Sequence, residues 1–137
     1  STLLLEEIRA IAGSKGLQSV LMRVAARSAE PYQPDLRDKP LPERVEDATR
    51  IIAERGCIAD CRRSSNSNEY LINQYTCPFP NVARSHSSVC ALEVEFVRRL
   101  TGGDARLVRS LLRGDGCCTY RIRPVNGTQS ASAPATS

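Results

Sequence analysis

The feature that most constrains this chain is an order of elements that it runs through twice. Pro42 suits the first turn of a helix that continues through Val45, Ala48, Ile51 and Ile52 and stops at Gly56. A strand over 57–62, a polar turn from Ser64 to Asn68 and a returning strand over 70–75 follow. After the turn Cys77-Pro78-Phe79-Pro80 the order recurs. Ser87 or Ser88 caps a helix carrying Val89, Leu92, Phe96 and Leu100, and Gly102-Gly103 ends it. A strand over 105–112, the turn Arg113-Gly114-Asp115-Gly116 and a strand over 117–123 complete the second unit. Two α-β-β units predict an α+β fold: a four-stranded, mostly antiparallel sheet with two helices on one face.

Two apolar helices precede these units. Leu4, Leu5, Ile8 and Ile11 fall at helical spacing, Gly13-Ser14-Lys15-Gly16 breaks the pattern, and Leu17, Val20, Leu21, Val24 and Ala25 line one side of a second helix. Residues 1–40 therefore read as linker and dimerisation helices, with 31–40 a Pro- and charge-rich connector. Residues 41–124 form the cysteine-containing domain. The tail 125–137, mostly Ser, Ala, Thr and Pro without an apolar pattern, reads as disordered.

A length of 137 residues suits one domain with a core that needs no disulfides, and the absence of Trp makes that core aliphatic. A net charge of +4 is too small to argue for nucleic acid by itself. No apolar run approaches the ~20 residues of a membrane span, and the start lacks the basic segment of a signal peptide. It also lacks a Met, which reads as a fragment of a longer protein. Without a signal peptide, the six cysteines read as reduced thiols in a cytoplasmic protein and not as three disulfides. The sequon Asn126-Gly127-Thr128 reads as a chance match.

Cys77, Cys90 and Cys118 are separated by twelve and twenty-seven residues and fall on a turn, a helix start and a strand, so only the tertiary fold can gather them. The spacing leaves two readings open: buried thiols acting as small hydrophobes, or ligands for zinc or an iron–sulfur cluster. Cys57 and Cys61 have the spacing of a zinc pair, but on a strand they lie ~13 Å apart, too far to share one ion. Strand alternation sets Cys118 with Tyr120 and Ile122 on the core face and Cys117 with Thr119, Arg121 and Arg123 on a solvent face. Arg98, Arg99, Arg106, Arg109, Arg113, Arg121 and Arg123 surround the cysteine positions in sequence, and such cations lower thiol pKa values. Nothing reads as catalytic. The lone His86 has no nucleophile at readable spacing, and no Gly-rich loop follows a strand to hold phosphate.

The run 73–80, then Val89-Cys90-Ala91-Leu92-Glu93, then 114–122 resembles the C-terminal sensor region of SufR-type iron–sulfur winged-helix transcriptional repressors. The likeness covers roughly residues 40 to 123. It implies a sensor that controls cluster-assembly genes, with Cys77, Cys90 and Cys118 as metal ligands of an iron–sulfur cluster, most simply [4Fe-4S], with [2Fe-2S] or Zn as variants. Some relatives carry a further Cys at the position of Asp104, which makes Asp104, together with His86, a candidate fourth ligand. The resemblance further implies a homodimer that binds DNA through a winged-helix domain outside this chain. Two rival readings are a small-molecule-binding regulatory module with buried cysteines and a zinc-stabilised domain.

Overall fold

The structure is a computed structural model that describes residues 2–65 and 68–125. The residues of the tail from 126 onward, the sequon, and Asn66 and Ser67 of the expected turn lie outside the described residues. The elements run α1 (Thr2–Ala29), α2 (Gln33–Leu36), α3 (Leu41–Glu54), β1 (Ala59–Arg63), β2 (Tyr70–Gln74), α4 (Pro80–Ser85), α5 (Ser88–Thr101), β3 (Asp104–Arg109), a 3-10 turn (Leu111–Arg113) and β4 (Cys118–Arg123).

Each α-β-β unit builds one hairpin, β1–β2 and β3–β4, and antiparallel pairing of β2 with β4 joins the two. The strand order is therefore β1-β2-β4-β3. Partners directly opposite share a face, so Gln74 stands level with Cys118, Ile72 with Tyr120 and Tyr70 with Ile122. Ile72, Tyr120, Ile122 and Ala105 are buried on the inner face, where α3 and α5 pack with Val45, Ile52, Phe96, Val97 and Leu100. The expected α+β architecture is the one observed.

Backbone chemistry sets the boundaries. Gly102 takes a left-handed conformation (φ 68°) at the end of α5, and its N–H donates to Arg98 O at 2.8 Å. The next residue, Gly103, runs close beneath the sheet. A Cβ there would stand 2.7 Å from Ile122 Cγ2 and 3.0 Å from the Arg123 carbonyl. The strand expected over 105–112 stops at Arg109 because Ser110 opens a turn. Its side chain accepts from the Leu112 N–H, and its own N–H donates to Asp115 Oδ2 at 2.8 Å.

The leading helices form one element with a break at Gly13 (φ 75°, ψ 177°), inside the expected interruption. The second half packs on α5 through Leu17, Leu21, Ala25 and Ala29, which join the core. Val20 and Val24, expected on the same apolar side, are left partly exposed. Two short helices have no counterpart in the sequence reading. Pro34 lies in the first turn of α2 and Pro80 opens α4, where the fixed proline φ suits a helix start. Among the described residues no helix is long and apolar enough to cross a membrane.

Gly103→Ala should lower the urea midpoint by an amount equivalent to about 1–3 kcal/mol, the range for overpacking a filled core. Gly114→Ala tests the opposite case, because nothing lies within 4 Å of its Cβ position and only its left-handed backbone (φ 90°) resists the change. Equal losses at the two sites would show that Gly103 is not sterically fixed.

Candidate functional site

A tight pocket opens where the two units meet, between the end of β2, the start of α5 and the start of β4. Cys77, Cys90 and Cys118 all line it. Cys118 reaches it from the inner face of β4, level with Gln74, as strand alternation requires. Cys77 follows Gln74 by three residues, on the turn into α4, and Cys90 lies in the first turn of α5. Apolar side chains close the rest, among them Phe79, Val89 and Leu107. Only ≈ 20 Å³ of this space admits the centre of a water-sized sphere, room for about one water molecule. As it stands the pocket holds a single atom or ion, and a larger occupant must push side chains aside.

Burial dominates the thiols. It pushes the Cys90 thiol up, and Cys118 and Cys77 nearby push it further. Burial likewise raises Cys118, although the Leu111 N–H donates to its sulfur at 3.4 Å and partly offsets the shift. The arginine run was expected to lower these values, and at Cys90 and Cys118 it does not win. Only Arg113 acts appreciably on Cys90 in that direction. Arg98 and Arg99 are tied to Glu95 at 2.7 and 2.8 Å, Arg106 to Asp104, and Arg123 to Glu69.

Two polar atoms in the wall lack hydrogen-bond partners. Gln74 is 2 % exposed and donates through Nε2 to Thr76 O at 3.0 Å, which leaves Oε1 unsatisfied. Glu93 is 7 % exposed, and its Oε2 has no partner. The nearest cation, Arg55 Nη1, stands 3.8 Å from Glu93 Oε1 while its guanidinium lies over the Phe96 ring. Burial raises the Glu93 carboxyl and Arg55 only partly counters it. Glu93 escaped the sequence reading, yet a signal was there. It lies three residues after Cys90 and three before Phe96, on the apolar stripe of its own helix.

The other expected residues lie elsewhere. Asp104 pairs with Arg123 at the far end of β4, five residues from Cys118, a run of ~17 Å along a strand. His86 ends α4 with Nε2 lacking a hydrogen bond, 4.0 Å from Glu6 Oε2 on α1. Neither lines the thiol pocket. Cys61 sits level with Ile72, half-buried on β1. Cys57 lines a separate cleft of ≈ 370 Å³ whose wall shares Cys77, Phe79 and Glu93 with the thiol pocket. Cys117 lies on the opposite sheet face from Cys118, but that face is not open to solvent there. Cys117 and Thr119 are buried, and Thr119 Oγ1 donates to Asn73 Oδ1 at 2.8 Å.

The donor chemistry of three thiols, one carboxylate and one amide oxygen suits a soft cation. The described residues nevertheless contain no group of three or more His, Cys, Asp or Glu side chains already placed to hold a metal ion. Binding one requires these side chains to draw closer together than they stand.

No family model matches this chain, and no curated protein matches it. Among solved structures, it is similar to the crystal structure of the phenol-responsive sensory domain of the transcription activator PoxR with phenol. The TM-score is 0.62 at 13 % identity, over 98 % of this chain and 78 % of that one. A likeness at this identity establishes a shared fold.

The buried carboxyl, with Oε2 unsatisfied, makes a stability prediction. Below its ordinary value of 4.5 the Glu93 carboxyl is protonated in both the folded and the unfolded chain. As pH rises, the unfolded chain releases the proton that burial holds on the folded one, so this group weakens folding. Glu93→Gln should therefore raise the urea midpoint at pH 7, by the equivalent of about 1–3 kcal/mol, and the gain should shrink at pH 4. A variant that is less stable at pH 7 would show that the carboxylate is satisfied in the folded protein.

Proposed function

We propose that this chain is the ligand-sensing module of a transcription regulator, and that its ligand occupies the pocket bordered by Cys77, Cys90 and Cys118. The supporting observation is that this buried, largely apolar pocket leaves Gln74 Oε1 and Glu93 Oε2 without partners. Buried polar atoms in native proteins are nearly always satisfied, and small-molecule sites combine apolar walls with a few such groups. The likeness in fold to a phenol-responsive sensory domain supports the same reading. This reading gives the chain no catalytic role.

Two occupants fit this reading. The fold likeness and the apolar walls favour a compact organic molecule about the size of phenol, admitted when Phe79 and the turn into α4 move outward. The convergence of three thiols favours a metal centre, as the resemblance to SufR-type sensors implies: an iron–sulfur cluster, [4Fe-4S] or [2Fe-2S], or a zinc ion. A cluster held by three thiolates would supply a centre that oxidants can reach and destroy. The side chains do the rest. With the centre absent, the Cys90 and Cys118 thiols keep their protons. With it bound, the first turn of α5 and the start of β4 are tied to the Cys77 turn.

Either occupant acts on α5, and α1 lies along α5. A change in the pocket can therefore reach the N-terminal helix, where Leu3, Leu4 and Ile11 are exposed. Such a face suits a second copy of the chain, and DNA reading would fall to a winged-helix domain outside it in a cytoplasmic repressor of cluster-assembly genes.

Protein purified without oxygen separates the occupants. A visible absorption band with iron and acid-labile sulfide, lost in Cys118→Ser and largely kept in Cys117→Ser, is the result expected for a cluster. A colourless protein whose melting temperature rises with added phenol is the result expected for an organic ligand. A colourless protein that responds to neither phenol nor a chelator contradicts the sensing role of the pocket.

A further inference from the structure

Glu93 is the buried carboxylate among the described residues, and its placement is hard to explain by packing. Cys90 and Glu93 are three apart on α5, so one helix face carries both toward the pocket. Cys77 and Cys118 approach the same space from the turn after β2 and from β4. Arg55 stands near Oε1, while Oε2 is left without a partner. Buried charges in proteins are paired or coordinate metals. Leucine or methionine would fill this position on an apolar stripe without the desolvation cost, so the carboxylate points to a partner that arrives with the ligand.

We propose that Glu93 is the fourth protein donor to a metal centre held by Cys77, Cys90 and Cys118, through Oε2; this rests on the thiol-centred reading of the pocket. The alternatives fail on placement. Asp104 lies at the far end of β4 in an ion pair with Arg106, and His86 faces Glu6 on α1. Cys57 lines the neighbouring cleft and is not among the residues lining the thiol pocket. Glu93 forms part of the wall between that cleft and the thiol pocket, since it lines both. A set of three sulfurs and one oxygen carries four negative charges when fully deprotonated. Arg55, Arg113 and the first turn of α5 supply the nearby positive potential. The oxygen is the hardest donor of the set and so the one that a soft metal holds least firmly. That makes the Glu93 side the exchangeable position of the site.

Cobalt(II) tests this in the full chain, because its thiolate charge-transfer absorption counts sulfurs while its visible d–d bands report the whole donor set. The metal-free, reduced chain is titrated with Co²⁺ alone for wild type, Glu93→Gln, Glu93→Ala, Asp104→Asn and Cys77→Ser, with circular dichroism confirming that each is folded. The expected result for Glu93→Gln is unchanged charge-transfer intensity per cobalt, altered d–d bands and affinity at least about tenfold weaker. Asp104→Asn should match wild type, and Cys77→Ser should lose charge-transfer intensity. Wild-type affinity and d–d bands in both Glu93→Gln and Glu93→Ala would overturn the role of Glu93 while leaving the thiol site standing. No thiolate charge transfer in wild type, or intensity that Cys77→Ser does not change, would overturn the thiol-centred reading itself.

Discussion

The antiparallel pairing of β2 with β4 is the contact on which the rest of the molecule depends. Each α-β-β unit alone offers a two-stranded hairpin, which is marginal in water. Joining them makes a four-stranded sheet with one continuous apolar face, where Ile72, Tyr120 and Ile122 meet Phe96, Val97 and Leu100. The same register sets Gln74 beside Cys118 and brings the Cys77 turn to the first turn of α5. A shift of one residue would turn Cys118 to the opposite face and dismantle the pocket along with the core.

Stability and site chemistry pull in different directions at this seam. Burial that holds the sheet to α5 also raises Cys90, Cys118 and Glu93 toward their neutral forms. Of the arginines near in sequence, Arg98, Arg99, Arg106 and Arg123 are engaged with Glu95, Asp104 and Glu69. The thiol pocket is therefore a region where local preferences conflict. Proteins accept such conflicts chiefly at functional positions. A bound cation would reverse the sign, since the thiols and carboxyl that burial holds in their neutral forms are the groups that a soft metal turns into ligands as they release their protons.

Much of the fold was legible because periodicity and stop signals agreed. The helix read after a Ser87 or Ser88 cap and ended by Gly102-Gly103 is α5, although Ser87 at its N-cap makes no side-chain capping hydrogen bond. The alternation that put Cys118 inward with Tyr120 and Ile122 matches their common face on β4. The pocket-lining positions of Cys77, Cys90 and Cys118 could be suspected from sequence, but their approach depends on the β2–β4 pairing, which no local pattern encodes. Three features were hidden for physical reasons. Helices α2 and α4 are too short to show a period, and their prolines read as turns. The burial of Cys117 and Thr119 follows from a hydrogen-bonded cluster with Asn73 on the neighbouring strand, invisible to alternation alone. Glu93 was passed over because a charged residue in an amphipathic helix is ordinarily taken as solvated. Its place between Cys90 and Phe96 put it on the buried stripe instead.

The central claim is that Cys77, Cys90 and Cys118 border one ligand site. Residue-resolved alkylation, read by mass spectrometry on the reduced chain before and after loading with metal or ligand, tests it most directly. The account predicts that these three thiols become protected together on loading, with a common midpoint, while Cys61 and Cys117 label at unchanged rates. Protection of Cys57 and Cys61 instead, or separate midpoints for the three, would contradict a single site at the seam of the two units.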